Sequence, residues 1–398
     1  MILFFNPGHE VAVLNASPYY MVPANVLAMQ QELSFLPAWY GNENDIVLLS
    51  KQPDKAYCSY LSSLFNLLPK PITEDEIPSY PNNEISIWGI SPQVIHFFEE
   101  LDKKYNLDFN IPKWEKDYTY LNNRQVARDC LKELIDAGTG ISKNILPTFF
   151  SKLEDIESFV LSTPLQLLAK APYSSSGRGL LWLPETGLTR TERQILHGIL
   201  KKQGSVSIEP VLNKKVDFAM EFMSDGKGNI DFEGYSLFYT NKKGAYIGNY
   251  IGSQKSIVDE LTQKIELSLL EEAKEKLISI LKTKYASLYK GCIGVDMMIY
   301  KQDEEYHLHP CLEINKRYNM GYLALHLFEK YISEKSQGRF YIDFSSKNGE
   351  IYHQHCDMEK QYPIQIENGR IIKGYLSLCA VNENSKYRAY VLIDEPSS

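Results

Sequence analysis

The stretch Lys170-Ala-Pro-Tyr-Ser-Ser-Ser-Gly-Arg-Gly179 separates two apolar runs, 164–169 and 180–183. The pattern predicts a strand, a loop of small residues and a second strand. Small residues let backbone N–H groups approach a bound polyphosphate, and Lys170 and Arg178 add two positive charges. A Walker loop is excluded, because it leads from a strand into a helix and its lysine follows the glycines. Taken alone, the stretch also fits an ordinary hairpin turn.

Composition narrows the class of protein. The 398 residues are 44% hydrophobic and 23% charged, which is typical of globular chains and sufficient for two or three domains. The net charge of −8 argues against a nucleic-acid binder with a basic face. No apolar run approaches the roughly 20 residues of a membrane helix, and we expect no signal peptide. Six cysteines without a CxxC pair indicate reduced thiols, so we expect a cytoplasmic protein.

The first 110 residues predict a small parallel α/β unit, because apolar runs at 2–5, 45–49 and 85–89 alternate with helical patterns. Ligands of such sheets bind at the carboxyl ends of the strands. The loop after the first strand therefore supplies candidate substrate-binding residues: Asn6, Gly8, His9 and Glu10. A plain turn is the alternative interpretation of this loop.

Beyond residue 110 the pattern changes to longer helices and strands. An amphipathic helix is predicted from Asn122 to about Ala137, and Ser151-Lys-Leu-Glu154 is typical of a capping box that opens the next helix. A single long helical pattern covers 257–289. Residues 331–398 predict a small β-rich extension.

Two strands after the long helical pattern carry a set of oxygen donors. In 294–300 and 307–315, alternation places Asp296, Glu313 and Asn315 away from the apolar face. If the strands pair as a hairpin, the three side chains can meet. Oxygen ligands, with one or two carboxylates among them, suit Mg²⁺. The alternative is an edge strand with solvated polar residues.

Cys311 lies two residues from His309 on the second strand, which raises the alternative of a catalytic nucleophile. Strict alternation would place both side chains on the face of the proposed metal ligands. We expect a packing role for Cys311, since no Cys–His or Ser–His–Asp arrangement is evident.

Taken together, residues 113–330 resemble the ATP-grasp superfamily, because several of its motifs occur in the family's order. The resemblance implies a mixed α/β (α+β) fold. Its parts would be a Rossmann-like pre-ATP-grasp α/β domain at 1–112, a two-lobed ATP-grasp domain at 113–330, and a C-terminal β-rich extension at 331–398. Within the ATP-grasp domain, the lid lobe would cover about 140–212 and the metal-binding lobe about 213–330.

The resemblance also implies the ATP-binding residues. They are Arg128, Lys170, Ser174, Ser175, Ser176, Gly177, Arg178, Gly179, Glu209, Val211 and Asp217. The segment 207–212 resembles the hinge that reads adenine through its backbone. Asp217 matches a ribose-binding acid, with Glu221 as the alternative. Arg128 stands where the family usually has lysine, which keeps the charge and changes the geometry.

The same resemblance implies that Asp296, Glu313 and Asn315 hold one or two Mg²⁺ ions, for which Mn²⁺ can substitute. It gives Arg317 and Lys170 catalytic roles at the transferred phosphate or the substrate. The implied activity is an ATP-dependent carboxylate–amine (C–N) ligase, which activates a small-molecule or peptide carboxylate as an acylphosphate and joins it to an amine or another nucleophile.

Two other classes of function remain open: an ATP-grasp kinase and a nucleotide-binding module without turnover. A Rossmann dehydrogenase is disfavoured, because no loop reads GxGxxG. The expected partners are ATP, a small carboxylate and an amine, in a protein that can form a homo-oligomer. Neither nucleic acid nor membrane is an expected partner.

Overall fold

The chain divides by its internal contacts into two units, which we call unit 1 and unit 2. Unit 1 comprises Met1–Trp114, Ile247–Ile257 and Arg317–Ser398, and unit 2 comprises Glu115–Tyr246 and Val258–Lys316. The computed structural model describes residues 1–138, 140–174, 177 and 179–394. The domain boundaries suggested by the sequence stay predictions.

The described residues form seventeen strands. They are β1 (Ile2–Phe4), β2 (Ile46–Leu48), β3 (Lys70–Ile72), β4 (Ile85–Ile87), β5 (Thr148–Phe150), β6 (Leu167–Lys170), β7 (Leu180–Leu183), β8 (Val206–Pro210), β9 (Asn213–Asp225), β10 (Ile230–Thr240), β11 (Tyr246–Ile251), β12 (Lys290–Gln302), β13 (Glu305–Asn315), β14 (Gln337–Phe344), β15 (Gln365–Glu367), β16 (Arg370–Ser377) and β17 (Tyr387–Asp394).

The same residues form twelve α-helices. They are α1 (His9–Asn15), α2 (Ala24–Glu32), α3 (Lys55–Leu64), α4 (Pro92–Tyr105), α5 (Tyr118–Leu121), α6 (Arg124–Asp136), α7 (Leu153–Ser162), α8 (Arg190–Gln203), α9 (Gln254–Thr262), α10 (Leu267–Lys284), α11 (Met320–Tyr331) and α12 (Glu350–Gln361). Within the described part of the chain, no helix combines the length and the apolar character that crossing a membrane requires.

A four-stranded parallel sheet lies in unit 1, in the order β3-β2-β1-β4. This confirms the predicted α/β unit. β1 and β2 are buried at every position, as expected for parallel strands covered on both faces. The amide of Asn6 joins the carboxyl ends of β1 and β4: Nδ2 donates to the carbonyl of Gly89 at 2.7 Å, and Oδ1 accepts the Gly89 N–H at 3.0 Å.

Unit 1 also contains five antiparallel strands in the order β11-β14-β17-β16-β15. They confirm the predicted β-rich C-terminal segment, whereas helix α12 within it was not predicted. The segment is bound to the N-terminal part of the unit. Trp39 Nε1 donates to the carbonyl of Leu378 at 2.8 Å, and Glu32 accepts the backbone N–H groups of Lys386 and Tyr387.

A first sheet of unit 2 has the antiparallel order β5-β8-β6-β7, and we call it the lid sheet. Its apolar face packs on α7 and α8 through Ile156, Val160 and Leu196. Thr189 and Glu192 form a capping box at the start of α8. The capping box predicted at Ser151 is wrong: α7 starts at Leu153, its N-cap is Lys152, and no side chain caps it.

The other strands of unit 2 are neighbours in the antiparallel order β13-β12-β9-β10. One face of these strands is apolar and fully buried: Phe218, Met220, Phe222, Ile293, Val295 and Met297. A two-residue turn of Asp303 and Glu304, both with positive φ, joins β12 to β13. The single helix predicted over 257–289 is wrong, because 263–266 separates α9 from α10 without any glycine or proline to mark the break.

Gly89 provides a test of packing in unit 1. A Cβ atom at Gly89 would lie 2.4 Å from Cγ of His9, so Gly89→Ala should destabilise the protein by about 1–3 kcal/mol in denaturant unfolding. Gly198, within α8, is the matched control, since an added Cβ meets no described atom within 4 Å. Gly198→Ala should stabilise by about 0.5–1 kcal/mol. Equal unfolding midpoints for wild type and Gly89→Ala would contradict the proposed close contact.

Candidate functional site

Lys170 and Glu209 form a buried ion pair on the lid sheet. Lys170 ends β6 and lies opposite Ser207 of β8, while Glu209 lies opposite Leu168. Side chains at these directly paired positions share one face of the sheet. Nζ of Lys170 contacts Oε1 of Glu209, and the two side chains are 9% and 11% exposed. The sheet thus fixes a cation immediately before the small-residue loop.

The loop after Lys170 is closed by backbone contacts. The N–H of Ala171 donates to the carbonyl of Gly179 at 3.0 Å, and Ser174 Oγ donates to the carbonyl of Ala171 at 3.2 Å. Gly177 has φ of 75°, and a Cβ there would lie 2.4 Å from the carbonyl oxygen of Gly244. The positive φ and the short distance both explain why position 177 requires glycine. Ser175, Ser176 and Arg178 lie outside the described residues.

The predicted metal ligands lie on two adjacent strands in register. Asp296 of β12 is directly opposite Glu313 of β13, and Gly294 is directly opposite Asn315. Because paired residues of an antiparallel ladder project to the same face, the two carboxylates and the amide share one face. The hairpin predicted from alternation is therefore confirmed.

A second acidic pair extends the same polar face onto β9. Asp217 lies opposite Met298, and Glu221 lies opposite Gly294. Asp217 accepts a hydrogen bond from Thr240 Oγ1 at 2.8 Å and forms an ion pair with Lys214. Glu221 is 1% exposed and accepts a hydrogen bond from Ser236 Oγ at 2.9 Å. Both candidates for the ribose-binding acid thus lie on this face.

Strand β13 is irregular between its two functional segments. The register changes from Met298 opposite His309 to Asp296 opposite Glu313, so β13 contains extra residues between these pairs. The ladder is therefore interrupted across 309–313, whereas His309 and Glu313 lie opposite Met298 and Asp296, which share one face as expected. Cys311, within this segment, is 2% exposed, and burial together with the neighbouring Cys130 thiol raises its pKa. Such a thiol suits packing and is a poor nucleophile.

Arg124 contacts the predicted site, although the sequence analysis did not name it. As the first residue of α6, it donates from Nε to the carbonyl of Ala171 at 3.1 Å and from Nη2 to Glu313 at 2.9 Å. Its side chain is 9% exposed. Arg128, to which we assigned this role, is one helical turn further on and pairs with Asp129 with 38% of its side chain exposed. No local pattern separates the two arginines, because they lie four residues apart on α6 and therefore share one face of the helix.

His309 lies on the face that alternation assigned to the metal ligands, although it was not named as a candidate site residue. It is 2% exposed, and its Nδ1 atom has no hydrogen-bond partner among the described residues. Burial, with a smaller effect from the positive charge of Lys170, lowers the pKa of His309 to about 3. The imidazole is therefore neutral at neutral pH and adds no positive charge beside Lys170.

Lys316, the residue after β13, is also buried, with 1% exposure. Its Nζ atom lies 3.6 Å from the ring centre of Tyr118 and 4.6 Å from that of Tyr289. Burial lowers the pKa of Lys316 to about 7.

In unit 1, the predicted catalytic Arg317 lies beside the predicted substrate residue Glu10. Nε of Arg317 donates to Oε1 of Glu10 at 2.9 Å, and Nη1 donates to the carbonyl of Tyr318 at 3.2 Å. Burial by itself raises the pKa of Glu10, but the charges of His9 and Arg317 and two hydrogen bonds outweigh it and lower the pKa to about 2. The carboxylate is therefore ionised at all ordinary pH values.

The other predicted substrate residues have local structural roles. Gly8 takes a left-handed conformation with φ of 78° before α1, and His9 occupies the space beside Gly89. Asn6 uses both its amide groups on the backbone of Gly89. Their contact with a substrate stays a prediction.

The donor set on β12 and β13 fits magnesium. The described residues contain no group of three His, Cys, Asp or Glu side chains placed to hold a metal ion, so the proposed set consists of two carboxylates and one amide. Asp296 and Glu313 supply two carboxylates in one row of the ladder, and Asn315 supplies an amide oxygen in the next. Mg²⁺ usually binds one or two carboxylates together with substrate phosphates.

The low pKa of Glu10 predicts a pH-dependent contribution to stability. The folded value of about 2 lies below the ordinary value of 4.5, so the contribution is present above pH 5 and is lost as pH falls towards 2. At pH 7, Glu10→Gln should cost a few kcal/mol, on the order of 3, and the difference from wild type should shrink at lower pH.

Denaturant unfolding of both proteins between pH 7 and pH 3 measures this difference. Glu100→Gln is the control, because Glu100 is exposed on α4 of the same unit and should change little at any pH. A constant difference between wild type and Glu10→Gln across the pH range would refute the low pKa.

Comparisons with known proteins rest on structure alone. No family model matches the sequence, and no curated protein is similar enough to count as a relative. A biotin carboxylase–β-γ-ATP complex from Campylobacter jejuni has a TM-score of 0.52 and 12% identity, over 99% of this chain and 87% of that one.

Two further similar structures have lower TM-scores. N5-carboxyaminoimidazole synthetase from Staphylococcus aureus, complexed with ADP, has a TM-score of 0.49 and 13% identity, over 99% of this chain and 93% of that one. An L-amino acid ligase from Bacillus licheniformis has a TM-score of 0.42 and 13% identity, over 82% and 75%. Identities this low establish the fold only. The biotin carboxylase match, over nearly the whole chain, shows that this chain has an ATP-grasp fold.

Proposed function

We propose that the protein is an ATP-dependent ligase that activates a carboxylate as an acylphosphate and joins it to an amine. The observation that carries the proposal is the position of Arg124, which contacts both the backbone after Lys170 and the proposed metal ligand Glu313. Cations and oxygen ligands thus converge at one place in unit 2. The similar biotin carboxylase structure contains a β-γ-ATP, which supports ATP as the nucleotide.

Lys170 and Arg124 are the cations that we propose for the phosphates of ATP, with Arg124 in the place first given to Arg128. Each is held by a carboxylate: Lys170 by Glu209 and Arg124 by Glu313. Phosphoryl transfer depends mainly on positioning and on offsetting charge. Cations that are already oriented by the protein meet that requirement without reorganisation.

The small-residue loop and the hinge would complete the nucleotide site. Ser174, Gly177 and Gly179 would place backbone N–H groups at the phosphates, with Ser175, Ser176 and Arg178 as further predicted contacts. The N–H of Val211 donates to the carbonyl of Gln166 at 2.9 Å, so we propose that Val211 contributes its carbonyl to adenine recognition. Glu209 begins the hinge, and Asp217 is the proposed ribose contact.

Asp296, Glu313 and Asn315 would hold Mg²⁺. When bound, the ion would offset phosphate charge and polarise the phosphate oxygens. Arg124 orients the Glu313 carboxylate through its 2.9 Å hydrogen bond. Because His309 is neutral, it adds no second positive charge that would repel Lys170.

Arg317 and Glu10 are the unit 1 residues that we propose for the substrate, together with Gly8 and His9. A guanidinium presents several donors in one plane and suits a carboxylate or an acylphosphate. The buried carboxylate of Glu10 fixes the guanidinium through Nε. Asn6 would act indirectly, by fixing the loop at Gly89.

The activity itself is tested by a screen for ADP and phosphate release. Amino acids, dipeptides and small acids, each with and without an amine partner, would be incubated with Mg²⁺ and ATP, and products identified by mass spectrometry. The ligase proposal expects a mass equal to acid plus amine minus water. A phosphorylated product that persists without conversion when an amine is present would exclude ligation.

Glu313→Ala tests the metal assignment. The variant should lose about 100-fold or more of the ADP-release activity, because a carboxylate ligand and the partner of Arg124 disappear together. Glu305→Ala is the control, since Glu305 is exposed at the other end of β13. Unfolding midpoints would be compared in parallel. Turnover at the wild-type rate in a folded Glu313→Ala protein would refute the magnesium site.

Lys170→Ala tests the phosphate role. Loss of one charge-assisted contact should weaken ATP binding about tenfold or more, as measured by calorimetry. Lys201→Ala, which removes an exposed lysine from α8, should leave the affinity unchanged. An unchanged affinity in both variants would exclude Lys170 from the nucleotide site.

A further inference from the structure

Lys316 lies where β13 ends and the chain passes from unit 2 to unit 1. It directly follows Asn315, the last residue of β13, and directly precedes Arg317, where the chain enters its next segment of unit 1. Its side chain is buried against two aromatic rings. Within the described part of the chain, Nζ has no hydrogen-bond partner.

The two rings that contact Lys316 are themselves fixed. The hydroxyl of Tyr118 donates to the carbonyl of Leu288 at 2.6 Å, and that of Tyr289 donates to the carbonyl of Cys292 at 3.1 Å. The rings lie edge to face, with centres 6.2 Å apart and an angle of 84°. Neither ring can turn away from the amino group without losing a hydrogen bond. The two rings therefore hold Nζ in a fixed position.

Fold stability alone does not account for a lysine here. Burying an amino group without an acceptor is costly, whereas a methionine of similar length would fill the same apolar space without that cost. The amino group instead gives the end of the side chain a fixed orientation. Its attraction to the face of an aromatic ring fixes the end of the side chain, which a flexible thioether does less well.

We propose that Lys316 is a positioning residue, which fixes the end of β13 and thereby the places of Asn315 and Glu313 in the metal site. The inference rests on the proposed function of that site. A second contact supports it: Tyr118 opens α5, and Arg124, six residues later, holds Glu313. The segment 118–124 therefore contacts the end of β13 at two points, on either side of Asn315.

Lys316→Met tests the proposal through binding and stability together. Calorimetry with Mg²⁺ in the presence of saturating ADP should give an affinity about tenfold weaker than that of wild type. The melting temperature without nucleotide should be unchanged or higher, because a buried amino group has been removed. The two effects have opposite sign, which a merely structural role would not produce.

Lys330→Met is the matched control. Lys330 is a half-buried lysine of unit 1 whose Nζ donates to the carbonyls of Tyr40 and Gly41 at 2.8 Å. Its replacement should lower the melting temperature and leave the Mg²⁺ affinity unchanged. It thus shows the result for a lysine that acts only through the fold.

Two variants of Tyr118 keep the proposal testable even if Lys316→Met fails to fold. Tyr118→Phe retains the ring and loses the hydrogen bond to Leu288, so it should lower stability and weaken Mg²⁺ binding less than the loss of the ring does. Tyr118→Leu removes the ring face and should weaken Mg²⁺ binding about tenfold.

The proposal is overturned by a Mg²⁺ affinity within about twofold of wild type in Lys316→Met or Tyr118→Leu. It is also overturned if a folded Lys316→Met protein loses stability together with affinity, or if Tyr118→Phe weakens binding as much as Tyr118→Leu. A wild-type protein that binds no Mg²⁺ with ADP would instead overturn the proposed function.

Discussion

The contacts of Arg124 connect the two groups of strands in unit 2 that carry the predicted site residues. Its Nε atom donates to the carbonyl of Ala171, which follows the lid-sheet strand β6, and its Nη2 atom donates to Glu313 on β13. The planar guanidinium makes both contacts at a fixed angle, which a lysine could not do. Arg124 at the start of α6 therefore helps to fix the position of the small-residue loop relative to the acidic face.

Much of this arrangement can be predicted from the sequence, because it depends on residues that are close together in the chain. Alternation along 294–300 and 307–315 predicted two strands that could pair as a hairpin, and the observed ladder places Asp296 opposite Glu313. The parallel unit at the N-terminus follows equally from short apolar runs separated by helical patterns. Lys170 was identified because it ends a strand before small residues. Each of these features is determined by neighbours within a few residues.

The features that the sequence did not show depend on contacts distant in the chain. Arg124 and Arg128 are equivalent in pattern, and only Glu313, nearly two hundred positions later, distinguishes them. The extra residues of β13 between His309 and Glu313 do not disturb the alternation of polar and apolar residues in the sequence, so the register change could not be predicted from it. The buried states of His309 and Lys316 likewise arise from tertiary packing.

The acidic composition explains how the cations of the site are arranged. A protein with net charge −8 must present a local positive region to bind ATP. In this structure Lys170 and Arg124 are each paired with a buried or half-buried carboxylate, and Lys316 lies against aromatic rings. Unpaired, buried cations would be costly, so each carboxylate offsets part of the desolvation cost of its cation before a ligand arrives. In the proposed site, a polyphosphate would exchange partners with charges that are already in place, so preorganisation rather than net charge would be the basis of nucleotide binding.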